Sequence, residues 1–149
     1  MIGGATPSIA RGAEKARGCL FEEARYVALE GDRKDRVATL AFAPFKDGMT
    51  ALSAVLTTPE GRTLEVSFSR SNGYVQTYAS IPAGDEEIET VVQAFSADMK
   101  RMAIASSQPA PTYILMPQAG FEADFKQSRS GPVTFTIPDG AWKFDHCRS

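Results

Sequence analysis

The sequence predicts an α+β fold. It reads as a mainly antiparallel sheet, with a meander over about residues 50–81, and one long amphipathic helix over about 85–105 packed on one face. Three observations lead there. Residues 63–69, Thr-Leu-Glu-Val-Ser-Phe-Ser, alternate strictly between polar and apolar. Two turn signatures flank them at spacings that put the apolar sets of three strands on one face. Downstream, Ile88, Val91, Val92, Phe95, Met99 and Met102 recur at helical spacing.

The elements follow in chain order. Residues 1–17 are small and Gly-rich at the start and read as a flexible lead-in; residues 18–149 read as one domain. The stretch from Cys19 to Gly31 fits strand or helix. Alternation of Phe21, Val27 and Leu29 favours the strand, with Gly31–Asp35 as a hairpin tip into a second strand over 36–43. Pro59-Glu60-Gly61 then fits a three-residue hairpin loop with Gly in the left-handed position. That register sets Leu56, Ala54 and Leu52 against Leu64, Val66 and Phe68. Asn72-Gly73 is a two-residue hairpin signal, and its register sets Phe68, Val66 and Leu64 against Thr77, Ala79 and Ile81. A one-residue slip at either turn would send these side chains to opposite faces.

For the helix, Asp85 serves as N-cap, with Glu86, Glu87 and Glu89 in the first turn and Lys100 and Arg101 near the end, each matching the helix dipole. Thr112–Pro117 reads as a short strand, the region around Phe121–Phe125 as one helical turn, and residues 133–137 and the final Trp142–Cys147 as further strands.

Bulk properties remove several functions. The chain has 149 residues and a net charge of −2, and its one basic cluster, Arg33-Lys34-Asp35-Arg36, is interrupted by an acid. Nucleic acid is therefore not an expected partner. No apolar run approaches the roughly 20 residues of a membrane span, so a membrane-spanning chain is not expected. The N-terminus lacks the apolar core of a signal peptide. It fits a cytoplasmic start, or a mature chain that follows a removed signal.

The cysteines favour the second history. Cys19 and Cys147 stand near the two ends of the predicted domain, and chain ends often meet at the surface. A disulfide between them would persist only in a periplasmic or secreted protein.

Chemistry is sparse. His146 is the single histidine, so three-histidine and HExxH zinc sites are impossible within one chain, and no short CxxC pair is present. No metal site and no cofactor is expected. Nucleophile, P-loop and dinucleotide motifs are absent. Two catalytic arrangements stay open for a small hydrolase: Cys19 with His146, which competes with the disulfide for the same thiol, and Glu122 with Asp124 beside Phe121 and Phe125. On a terminal strand His146 and Cys147 would point to opposite faces.

The polar face of the meander offers a binding surface instead. Ser67, Ser69, Tyr74, Gln76 and Tyr78 lie on it, with Tyr78 expected opposite Ser67 and Gln76 opposite Ser69. Tyrosine beside small hydroxyls is a composition suited to adaptable recognition; a merely solvated face has the same alternation. The expectation is a small exported, non-enzymatic binding domain for an unknown protein or small molecule, closed by a terminal disulfide.

Overall fold

The computed structural model describes residues 15–29, 37–44, 52–70 and 76–148. Its strands are β1 (Ala24–Ala28), β2 (Thr39–Ala43), β3 (Leu52–Thr57), β4 (Thr63–Arg70), β5 (Thr77–Ala83), β6 (Glu86–Phe95), β7 (Arg101–Met102), β8 (Tyr113–Leu115) and β9 (Ala141–Cys147). A 3₁₀ turn covers Phe21–Glu23, and a helix, α1, covers Ala119–Ser130.

These elements overturn the α+β expectation. The strands run in the order β5-β4-β3-β2-β1-β9-β8-β6-β7, and β5 also pairs with β6. That extra pairing closes eight strands into an antiparallel barrel, with β7 as an added strand on β6. Apart from β1 and β9, which meet to close the ring, all barrel neighbours are consecutive barrel strands in the chain, so the topology is up-and-down.

The segment expected as a long helix over 85–105 is instead β6, β7 and their connections. In β6 the inward positions are Ile88, Thr90, Val92 and Ala94, all buried. Thr90, Val91 and Val92 are β-branched and suit a pleated surface. The turn before it decides the matter. Ala83 pairs with Glu86, so Gly84-Asp85 is a two-residue hairpin loop, with Gly84 at φ 67°. Glycine at the first loop position fits a type II′ turn, whose twist matches the strands it joins. Asp85 therefore turns a hairpin rather than capping a helix.

The Pro59-Glu60-Gly61 loop is as expected. Leu52, Ala54 and Leu56 face Phe68, Val66 and Leu64, and Gly61 has φ 90°. The next register is shifted by two residues: Phe68 faces Ala79 and Arg70 faces Thr77. Six residues, 71–76, thus join β4 to β5, and the expected Asn72-Gly73 turn lies outside the described residues. A slip of two leaves every side chain on its own face, so the predicted core set survived the wrong register. The hairpin tip at 31–35 also lies outside the described residues, though β1 and β2 do pair.

Inward side chains fill an interior of the size eight strands enclose. Tyr26, Leu40, Phe42, Leu56, Phe68 and Trp142 are each 1% exposed or less. Phe42 packs edge-on to Phe21 at 4.8 Å and to Tyr26 at 5.5 Å between ring centroids. Such edge-to-face pairs add to simple burial. Burial pushes the Tyr26 hydroxyl pKa up, so it stays protonated and donates to the carbonyl of Pro111 at 2.7 Å. The indole N–H of Trp142 has no hydrogen-bond partner among the described residues.

The β3–β4 and β5–β6 turns lie at one end of the barrel, with α1 and the segment after it. That segment, expected as a strand over 133–137, joins no ladder. Phe135 and Ile137 are buried while Thr134 and Thr136 are exposed, and side chains supply its backbone partners. The Gln127 amide bonds the backbone of Thr134 and Phe135, and the Glu60 carboxylate accepts from the backbone N–H and hydroxyl of Thr136, both at 2.9 Å. The Asp139 carboxylate accepts from the first N–H groups of α1, at Gly120 and Phe121. A Cβ at Gly120 would overlap the Ile137 carbonyl oxygen, so this close approach requires glycine.

The other end carries the Cys19–Cys147 disulfide, with 5.7 Å between Cα atoms and a sequence separation of 128. It fastens the N-terminal segment to β9 beside the β1–β9 pairing that completes the ring.

Candidate functional site

The predicted recognition residues fall on the outer wall of the barrel, because β4 and β5 send their other faces inward. Ser69 stands directly opposite Tyr78. Ser67 faces Ser80 instead of Tyr78, as the two-residue shift requires. Gln76 precedes the β5 ladder and accepts a hydrogen bond from the Tyr78 hydroxyl at 3.3 Å. Tyr74 lies outside the described residues.

Side chains at these positions line two separate depressions. Ser69, Arg70, Tyr78 and Glu89 line one of about 370 Å³. Ser67 belongs to another of about 450 Å³ over β3 and β4, with Ser53, Val55 and Glu65. The structure thus keeps Ser69 with Tyr78 and separates Ser67 from them.

Two residues of the first depression were not part of the expected face. Glu89 had been placed in a helix, but as a β6 residue it faces outward opposite Ser80. Arg70 shares the alternation of Phe68 and so counts toward the core side of β4. It sits at the strand's last position, where the barrel opens, and is exposed. An arginine ending an otherwise apolar inward set was the signal for a rim position.

The depression combines a phenol, a hydroxyl, a guanidinium and a carboxylate. It supplies donors, acceptors and an aromatic face for a polar ligand. Ser80 also hydrogen-bonds Glu87, which extends this polar surface along β5 and β6.

The catalytic alternatives are not assembled. The Cys19 sulfur is in the disulfide, so no thiol stands beside His146. Asp145 is the extra residue of a bulge in β9, since Arg25 faces His146 and Tyr26 faces Phe144. His146 Nδ1 and Asp145 Oδ2 are 2.7 Å apart on the exposed wall. Glu122 and Asp124 lie on α1, two residues apart, which points them to opposite sides of a helix. No cluster of metal-ligating side chains occurs among the described residues. None of the described helices is long and apolar enough to cross a membrane.

Family models, curated proteins and solved structures were all compared with the chain, and none matches.

Proposed function

We propose that this chain is a small exported binding module that recognises a polar ligand or partner on the outer wall of its barrel, with no chemistry of its own. The observation that carries the reading is the Ser69–Tyr78 cross-strand pair, set in a depression with Arg70 and Glu89. The filled interior supports it, because aromatic side chains occupy the space in which a wider barrel would hold a ligand. The outer wall carries Arg25, Glu65, Ser67, Glu87 and Lys143. A lipid-embedded barrel would reverse that polarity. The disulfide supports export, since reducing compartments do not sustain such bonds.

Two measurements test the reading. Fragment binding to ¹⁵N-labelled protein should perturb the amides of Ser69, Tyr78 and Glu89, and Tyr78→Ala should abolish those shifts. Shifts that persist in Tyr78→Ala, or that cluster elsewhere, would remove the wall site. Thiol alkylation of protein taken from its host should label neither cysteine; two labelled thiols would remove the export claim.

A further inference from the structure

Beside the Tyr78 depression the barrel wall has a seam. On one flank of β6 the ladder passes from β5, at Thr77 opposite Val92, to β7, at Met102 opposite Ala94. Gln93 stands at the changeover, and an opening of about 250 Å³ lies there. Its floor is apolar: Val92, Ala94 and Ile104 are each 5% exposed or less, and Met102 packs against the same core. Its polar lining is Arg70, Arg101, Gln76, Gln93 and the buried Thr77. Arg70 approaches from the core side of β4 and Arg101 from the outer side of β7. Both are exposed, and among the described residues neither has a carboxylate within 4.0 Å. Glu89 shares the neighbouring depression with Arg70 but does not pair with it.

Two arginines that line one opening over an apolar floor define a ligand chemistry. Guanidinium groups bind carboxylates through paired N–H donors, and two of them at one opening, neither paired with an acid among the described residues, favour an anion. The side-chain amides of Gln76 and Gln93 add donors. The small apolar floor suits a short hydrocarbon end. We propose that the seam is a binding site for a small amphiphilic monocarboxylate, its head between Arg70 and Arg101 and its chain toward Val92, Met102 and Ile104. This rests on the reading that this side of the barrel is the recognition side, and it names the ligand class.

Calorimetric titration with octanoate tests the site, using the disulfide-bonded protein at low ionic strength. Octanoate should bind, with affinity falling at least fivefold in Arg101→Gln and in Arg70→Gln, and falling as salt is raised. Octanamide, which keeps the chain and loses the charge, should bind at least fivefold more weakly, and inorganic phosphate should compete poorly because it lacks the chain. Circular dichroism of both variants confirms that the barrel is intact. Equal octanoate affinity in wild type and Arg101→Gln, or equal affinity for octanamide, would overturn the proposal. Arg101 lines the seam and not the outer depression, and Tyr78 lines the outer depression and not the seam. Fragment shifts lost in Tyr78→Ala, together with an unresponsive Arg101→Gln, would therefore sink the anion site alone. Octanoate binding lost in Arg101→Gln, together with fragment shifts that survive Tyr78→Ala, would sink the Tyr78 depression and keep the seam.

Discussion

Replacing Gln127 by leucine tests how one end of the barrel is held. Gln127 is buried in α1, and its Nε2 donates to the carbonyls of Phe135 at 2.9 Å and Ala123 at 3.1 Å. Its Oε1 accepts from the N–H groups of Thr134 at 2.9 Å and Phe135 at 3.3 Å. One side chain thus does for residues 134 and 135 what a neighbouring strand would do. Leucine keeps the approximate volume and removes all of these bonds. The Ala123 carbonyl keeps its helical partner, and exposed Thr134 can turn to water. The N–H and C=O of Phe135 stay buried and unpaired, since Phe135 is 1% exposed. At roughly 1–3 kcal/mol for each stranded group, the loss should be about 3 kcal/mol. Urea unfolding followed by tryptophan fluorescence reads it as a fall in midpoint at unchanged slope. A loss below about 0.5 kcal/mol would refute the view that these bonds hold the segment. Gln127→Glu sharpens the test. It keeps the acceptor and places a buried anion against two carbonyls, so its folded-state pKa must rise. Its stability relative to wild type should therefore improve as pH falls, the opposite of the usual acid trend.

Three further outcomes follow from the turns and ends. Ser96–Lys100 closes a loop like that of Thr58–Arg62, with Met99 at φ 64° where the other loop has Gly61; Met99→Gly should stabilise by about 0.5–1 kcal/mol in urea unfolding, and a destabilised variant would contradict it. Removing the disulfide by Cys19→Ala with Cys147→Ala should cost about 2–5 kcal/mol, since the chain-entropy estimate for so long a loop is near 5 kcal/mol; equal melting temperatures with and without the bond would count against that role. Burial pushes the Glu60 carboxyl up, but bonds from the Thr136 N–H and hydroxyl outweigh it and hold its pKa below the usual 4.5. A depressed folded pKa gives stability that is complete above the unfolded value and lost as pH falls through the folded one, so Glu60→Gln should flatten the loss of stability seen below about pH 4.5; an unchanged slope would refute the coupling.

The sequence made local pairing visible and hid closure. Loop length and glycine position at 59–61 gave the β3–β4 register outright. In β6, Thr90 and Ala94 are weakly apolar, so inward alternation was faint, while Ile88, Val92 and Phe95 also fit helical spacing. Gly84-Asp85 carried the hairpin signal that a capping interpretation of Asp85 concealed. The helix that does form was legible only as a single turn. Its large apolar residues, Phe121 and Phe125, are 65% and 50% exposed, and its buried face is Ala119, Gly120, Ala123 and Gln127. The period of large apolar side chains cannot mark a helix that packs through small and amide ones. Of the candidate site, Ser69 and Tyr78 were legible from alternation, but their pairing depended on a loop six residues long, and Arg70 and Glu89 entered only with the barrel.

The two cysteines were the one trace of that closure in the sequence. Strand alternation implied that Cys147 turns away from His146, and the structure shows where it goes: across the β1–β9 seam, beside Ala24, to Cys19. Other neighbours in the ring follow one another along the chain, the longest link being residues 116–140 between β8 and β9, but the first and last strands have no such link. Bringing them together carries the largest loop-closure entropy of any pairing in the ring. A covalent bond at that position offsets the entropy where it is greatest, and the β1–β9 pairing beside it uses up the edges of both strands. The ring it completes is packed with aromatic side chains, which leaves the wall and the rim to the proposed recognition. There the departures from regular pairing, at the end of β4 and at the β5–β7 changeover, are also where the Arg70 and Arg101 guanidiniums stand.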